Sequence, residues 1–436
     1  MKARSARVGI LAVMCAVGAL VGGSSSASAS IPCSLISGAG SSLQTVAQTL
    51  VWAPNNPDME CAAPLPVIHY FPTSSGKGEA QWGDNATQVL TEEAGVSPFP
   101  AFIGTDVGPE GPALTAKTQL NNIDAAGLQG LELDQGVLTV PVAQSAISVL
   151  VTLPLGCSAT TSSTPQITSL DLENLWLKNE GLLENIFKNA GVKCLKTPEL
   201  YARESASGTT AGFKRFLDVI NHAGWGALVT TAVKAENTEW PGAVLETGFG
   251  KGSQLAEGVF SKPGANGAVG YADLADALKA GFSTKVTLHT VGTELLYSFI
   301  AEVQNNPMNA EEGPTYASPL ASGGSASNCA NATYNAPNRV LPNMDWSGAR
   351  QNNVEGGTAY PICTLTFDLA WHEYGKPKKG GVAVYTEAQR NTVFNYLLYI
   401  VNEGQNAALE SNHYGKLTGT IATSAINGVT GTNIKF

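Results

Sequence analysis

The run from Val137 to Leu153 constrains this chain more than any other segment. It is apolar and β-prone almost throughout, Leu138-Thr139-Val140-Pro141-Val142-Ala143 followed by Ile147-Ser148-Val149-Leu150-Val151-Thr152-Leu153. That is far longer than the usual strand of about five to six residues. Pro141 has no amide to give to a sheet ladder, so the ladder should be interrupted there. A long, once-interrupted strand is expected to cross from one lobe of a protein to another. Elsewhere, apolar β-rich runs alternate with helical patterns and Gly-rich junctions, which predicts an α/β fold.

The chain has 436 residues. Its start reads as an export signal, residues 1–29: Lys2, Arg4 and Arg7 precede an apolar stretch from Val8 to Val21 and a small-residue cleavage site at Ala27-Ser28-Ala29. The apolar stretch is shorter than the ~20 residues of a spanning helix. Met14 before Cys15 does not suit lipidation, so cleavage without a lipid is expected. Six cysteines remain, Cys33, Cys61, Cys157, Cys194, Cys329 and Cys363, an even count that in an exported chain implies disulfides. Neighbour pairing closes three modest loops, but the sequence does not choose among the possible connectivities. Zinc is disfavoured: there is no Cys-x-x-Cys pair, and His69, His222, His289, His372 and His413 fall at no ligand spacing.

Roughly 400 mature residues suit two lobes better than one core. A net charge of -10 and only 14% charged residues argue against nucleic acid or an anionic membrane as partner. They do not argue against a small anion, which a buried site recognises through local dipoles and one or two cations.

Helical spacing is found in Leu170 to Ala190, Thr210 to His222, part of Val286 to Val303, and Glu387 to Glu403. Val67 to Phe71 reads as a strand, and the stretch from Lys77 to Glu92 has a helical part. Gln304 to Gly357, rich in Asn, Gly, Ser and Pro, reads as a long surface insertion tied down through Cys363.

The chemistry concentrates at strand ends. In Arg203-Glu204-Ser205-Ala206-Ser207-Gly208-Thr209-Thr210 a planar guanidinium fork precedes two hydroxyls, a glycine that lets the backbone come close, and a helix start with free amides. These are donors for an oxyanion, although a plain capped helix start would use the same residues. Gly38-Ala39-Gly40-Ser41-Ser42-Leu43 and Thr73-Ser74-Ser75-Gly76 repeat the arrangement. Phe102-Ile103-Gly104-Thr105-Asp106 brings a carboxylate instead. An ionised Asp106 repels an anion unless that anion has a proton to give, as phosphate does near neutral pH and sulfate does not. The competing reading of Asp106 is a turn residue bonded to its own backbone. Gly248-Phe249-Gly250-Lys251-Gly252-Ser253 lacks the spacing of a nucleotide loop, and no Gly-x-Ser-x-Gly elbow surrounds Ser207.

Taken together, these segments resemble the periplasmic phosphate-binding protein of the phosphate ABC transporter, the PstS family. Gly38 to Leu43 is similar to its Gly-Ala-Gly-Ala-Thr-Phe, Ser74-Ser75-Gly76 to its Ser-Ser-Gly, Thr105-Asp106 to its Ser-Asp, and Arg203 to Thr210 to its Arg-Ala-Asp-Gly-Ser-Gly-Thr-Thr. Gly250-Lys251-Gly252-Ser253, Pro263 to Tyr271 and Tyr360-Pro361-Ile362 resemble later family segments. The resemblance implies a type II two-lobed binding protein with its ligand cleft between lobes joined by two hinge strands, crossing near Val140 to Leu153 and near Tyr360 to Phe367. Lobe 1 would comprise 30–145 plus 364–436, and lobe 2 146–363 with the insertion 304–357.

Carried over residue by residue, the resemblance implies that Ser42, Leu43 (by its amide), Ser74, Asp106, Arg203, Ser207, Gly208 and Thr209 hold inorganic phosphate. Ser42 replaces the family's Thr and Leu43 its Phe. Ser205 stands where the family has the Asp that partners the arginine, so Arg203 is expected to carry a less compensated charge. The implied function is a non-enzymatic, periplasmic or secreted solute receptor. It would be a monomer, with no metal, cofactor or nucleic acid, that hands phosphate to a membrane permease. The alternatives are a secreted surface or adhesion protein with a drifted anion site, or a binder of another oxyanion.

Overall fold

The computed structural model describes residues 32–55, 61, 67–81, 100–108, 136–178, 180–221, 223, 225, 240–241, 245–261, 265–307, 313–342, 344–351, 358–376, 378–379 and 382–436. The expected export signal, His222, and the continuation of the first helix toward Glu92 lie outside the described residues. Three strands near the N-terminus, β1 (Ile36–Gly40), β2 (Ile68–Pro72) and β3 (Phe102–Thr105), pair in parallel with β1 in the centre. The long apolar run forms one strand, β4 (Val137–Thr152), buried along its whole length. At ~3.3 Å per residue it spans about 50 Å, more than one sheet needs.

A second parallel set follows: β5 (Glu199–Arg203) lies between β6 (Leu245–Phe249) and β7 (Ala268–Asp273). β8 (Glu294–Gln304) and β9 (Cys363–Trp371) complete the frame. β9 pairs antiparallel with β3 and with residues 137–146 of β4, whereas residues 147–152 of β4 pair antiparallel with β7. β8 joins the second half of β4 on its other side. Thus β4 changes partner between Ala146 and Ile147. The ladder between β4 and β9 also shifts register at Thr366/Phe367, opposite Pro141, where the missing proline amide was expected to interrupt it.

Buried apolar residues fall into two clusters. One contains Phe102, Val140, Phe367, Tyr396 and Ile400; the other contains Val149, Leu150, Trp176, Phe213, Tyr271 and Phe299. We refer to these as the cores of lobe 1 and lobe 2. The insertion supplies both: Val340, Trp346 and Ala349 pack into the first core, Ala317, Cys329 and Ala332 into the second. Its described residues are therefore not only a surface loop. Disulfides join Cys33 to Cys61, Cys157 to Cys194 and Cys329 to Cys363, the neighbour pairing.

Helices α1 (Ser75–Gln81), α2 (Ser169–Lys178), α3 (Gly208–Ile220), α4 (Gly252–Ser261), α5 (Leu274–Lys279) and α6 (Glu387–Val401) follow the strands. α6 opens on a capping box, Thr386 with Gln389. Two helix expectations are corrected. Leu170 to Ala190 is broken after Lys178, with Gly181 at φ +123°, and resumes only as a single turn at Leu183–Ile186. Val286 to Val303 is a hairpin: Thr287–Val291 pairs antiparallel with β8 across a turn in which Gly292 has φ +61°.

Candidate anion site between the lobes

All the predicted site residues follow the carboxyl ends of parallel strands. Ser42 and Leu43 follow β1, Ser74 follows β2, Asp106 follows β3, and the Arg203 to Thr209 segment ends β5 and opens α3. In open α/β sheets this edge is where ligands bind, because strand ends and helix starts leave amides and side chains facing one crevice.

On the lobe 1 side, the backbone fixes the loop first. Gly40 has φ +130°, and a Cβ there would sit 2.1 Å from the Gly104 carbonyl, so only glycine fits. The Ser41 amide donates to Gly104 O (2.7 Å), which brings Ser41 beside the end of β3. Ser41 Oγ then donates to Asp106 Oδ1 (2.6 Å) and accepts from the Leu43 amide (3.1 Å). Thr366 Oγ1 of β9 donates to the same Oδ1 (2.8 Å), and Ser75 Oγ lies 3.4 Å from Oδ2. Asp106 is therefore held by three other elements. The turn role is taken by its neighbour: Thr105 Oγ1 accepts from the Val107 amide (3.3 Å). Burial pushes the Asp106 carboxyl up to about 6, against the lowering effect of the Ser41 and Thr366 hydroxyls and of the Arg203 charge.

On the lobe 2 side, Arg203 is 2% exposed and spends its donors on neutral acceptors. Nε donates to Phe249 O (3.2 Å), Nη2 to Gly250 O and to Ser205 Oγ (3.5 Å), and Nη1 to Ser207 Oγ (3.1 Å). Carbonyls at the end of β6 thus orient the guanidinium where Ser205 leaves no carboxylate. Glu204 is exposed. Burial lowers the Arg203 pKa, while Tyr271, Asp106, Asp276 and Asp273 act in the opposite direction.

Ser207 is both cap and contact: it accepts from the Thr210 amide (3.4 Å) as N-cap of α3. The amides of Gly208 and Thr209, in the first turn, have no carbonyl four residues back and face out of the helix start. Tyr271 of β7 ties this start together, its hydroxyl 2.7 Å from Thr210 Oγ1 and accepting from the Arg203 amide (3.5 Å). Ser207 receives only donors here, Arg203 and the Thr210 amide, so nothing in these contacts activates it as a nucleophile.

The two sides touch. Arg203 Nη1 donates to Ser42 Oγ (3.4 Å), and the Gly252 amide at the start of α4 donates to the same oxygen (3.3 Å). A Cβ on Gly208 would lie 2.4 Å from Asp106 Cβ, so the α3 start is seated directly against the carboxylate. Several solved structures are similar to this chain over most of its length. They include the ancestral soluble variant of the human phosphate binding protein (15% identity, TM-score 0.58, 89% of this chain and 92% of that one). A periplasmic phosphate-binding protein, PfluDING, bound with phosphate at pH 8.5, is 17% identical with TM-score 0.58 over 92% and 96% of the two chains. A phosphate-binding protein from Stenotrophomonas maltophilia is 15% identical with TM-score 0.52 over 90% and 93%. This chain has their fold. No protein-family model and no curated protein matches the sequence.

Of the predicted residues, Arg203 bonds Ser42 and Ser207, and Gly208 is seated against Asp106. Thr209 is buried beside them, and the Leu43 amide is engaged by Ser41. Ser74 caps the first turn after β2, accepting from the Lys77 amide (3.3 Å), and it is Ser75 that reaches Asp106. Sequence reasoning missed Ser41, Ser75, Thr366 and the carbonyls of Phe249 and Gly250. Ser41 and Ser75 stood inside quoted motifs, whereas nothing in the sequence pointed to Thr366. Among the described residues no cluster suits a metal ion, and no helix is long and apolar enough to cross a membrane.

Proposed function

We propose that this protein is an extracytoplasmic solute-binding protein that captures inorganic phosphate between its lobes and passes it to the permease of an ABC transporter. The observation that carries this reading is the convergence of a carboxylate from one lobe and an arginine with a helix start from the other. Arginine, hydroxyls and amides replace the water shell of a tetrahedral dianion, and Asp106 takes the one proton that phosphate has to give. Hydrogen bonds to a charged partner contribute about 1.5 to 3 kcal/mol each, and micromolar binding needs about 8 kcal/mol, so a handful suffices. We take lobe 1 as 30–145 plus 364–436 and lobe 2 as 146–363, with Val340, Trp346 and Ala349 of the insertion reaching back into the lobe 1 core. The partner exchange of β4 at Ala146/Ile147 supports that division, and the ligand would close the lobes across it.

Calorimetry with phosphate and sulfate tests the reading through its pH dependence. A neutral Asp106 can donate to sulfate and an ionised one cannot. Sulfate affinity should therefore be highest below about pH 6 and fall about tenfold per unit above it, while phosphate affinity persists to pH 8. Asp106→Asn should remove the pH dependence of sulfate binding. Equal affinity for both anions at pH 8 in the wild type would refute the reading.

A further inference from the structure

Asp106 is the end of a hydrogen-bond chain that runs through the lobe 1 core in one direction. The direction can be read from groups that have only one role. Gln44 Nε2 donates to the backbone carbonyl of Phe367 (2.8 Å), which can only accept, and this fixes which way the Gln44 amide faces. Its other N–H donates to Thr366 Oγ1 (2.7 Å). Thr366 is an acceptor in that bond, so its single O–H is left for Asp106 Oδ1 at 2.8 Å, closer than the Thr105 carbonyl at 3.2 Å. Behind Gln44 the order continues: Gln48 Nε2 donates to Gln44 Oε1 (3.0 Å), and the Tyr396 hydroxyl donates to Gln48 Oε1 (2.7 Å). Gln44, Gln48, Thr366 and Tyr396 are all fully buried, so water does not compete for these bonds.

Ser41 is polarised similarly. Its oxygen accepts from the Leu43 amide, and its proton goes to Oδ1. Two hydroxyl donors therefore point at Oδ1, while among the described residues Oδ2 has only the longer contact to Ser75. We propose that Gln44 and Thr366 are positioning residues that set the polarity of Asp106: they hold Oδ1 as an acceptor, so that Oδ2 alone meets a proton, including the one on a bound anion. The consequence for anion choice rests on the phosphate reading; the polarity itself does not. Protonating Oδ1 would set a new O–H against two existing donors, so the arrangement also favours the ionised carboxylate against burial. The other titratable groups acting with Asp106 are Arg203 from β5, Glu79 from α1, Asp273 from β7, Tyr70 from β2, and Tyr414 near the C-terminus; Asp368 of β9, its carboxyl pushed up to about 8 by burial, faces the relay and accepts from Gln48 Nε2 (3.1 Å).

The test is the titration of Asp106 followed by carboxyl 13C NMR in the ligand-free, full-length mature protein, together with phosphate and sulfate affinities at pH 8. Thr366→Val removes the donor at nearly constant volume and should raise the Asp106 midpoint by about one unit. Sulfate binding relative to phosphate should rise about tenfold with it, and Thr366→Ser should restore both. Gln44→Glu offers Thr366 an acceptor and draws its proton away, so it should shift the midpoint in the same direction. It also carries the test from a second element should Thr366→Val not fold. An unchanged midpoint in these variants, or a shift that Thr366→Ser fails to reverse, would overturn the assignment. A shifted midpoint in a protein that binds no phosphate would leave the polarity standing and sink the phosphate reading. Selective phosphate binding with an unmoved midpoint would do the reverse.

Discussion

The two lobes repeat one plan and solve opposite problems with it. Each sets three parallel strands beside the shared strand β4 and one further strand: β2, β1 and β3 beside β9 and β4 in lobe 1, and β6, β5 and β7 beside β4 and β8 in lobe 2. Lobe 1 brings a carboxylate to the crevice, and lobe 2 a guanidinium. The carboxylate is wrapped by side-chain hydroxyls whose protons can be assigned a direction, whereas the guanidinium is held by the Phe249 and Gly250 carbonyls. A side-chain shell can rotate and so needs the Gln44 relay behind it to stay polarised. Backbone carbonyls are fixed by the strand, and they orient Arg203 without cancelling its charge. On the proposed reading, the lobe that would discriminate surrounds its carboxylate with rotatable hydroxyls alone, whereas the lobe that would attract adds fixed backbone carbonyls to the Ser205 and Ser207 hydroxyls.

The sharpest way to break this comparison is to remove the attracting side. Arg203→Ala leaves Ser207, Ser205 and two carbonyls without their donor and should weaken phosphate binding by two to three orders of magnitude, on the order expected for losing a buried charged partner. Arg203→Lys keeps the charge but loses the fork and should fall between the two, as read by calorimetry. A smaller effect is expected where the lobes meet. Gly208→Ala places a methyl against Asp106, and overpacking of that kind should hold the crevice ajar and weaken binding about tenfold. Small-angle scattering should then show a more extended particle with phosphate present than the wild type shows. Wild-type compaction in Gly208→Ala would mean that the α3 start is not seated on the carboxylate.

Much of the frame was legible because it depends on local pattern. The β4 run, apolar and longer than an ordinary strand, pointed to a strand passing from one lobe to the other, and the Gly-Ser junctions marked the strand ends that carry Ser42, Asp106 and Arg203. The hairpin at Val286 to Val303 was misread for a physical reason. β8 carries buried apolar residues on both of its faces, Leu296 and Ile300 on one and Phe299 and Val303 on the other. Leu296, Phe299, Ile300 and Val303 then mimic the spacing of a helix face. The relay behind Asp106 was illegible on different grounds: Gln44 meets Thr366 only because β9 returns beside β3 hundreds of residues later. In a strand buried on both faces, one threonine looks like any other. Ser205 showed in the sequence that the usual carboxylate partner was missing, but not that two carbonyls stand in for it.

The central claim, that both lobes grip one protonated tetrahedral anion, is tested most directly by a crystal structure of the mature protein grown with phosphate. The account predicts tetrahedral density in the crevice with one oxygen within hydrogen-bond distance of Asp106 Oδ2, others on the Arg203 guanidinium, and the Gly208 and Thr209 amides facing it. Phosphate refined elsewhere, or a crevice whose Arg203 and Asp106 never share a ligand, would contradict it.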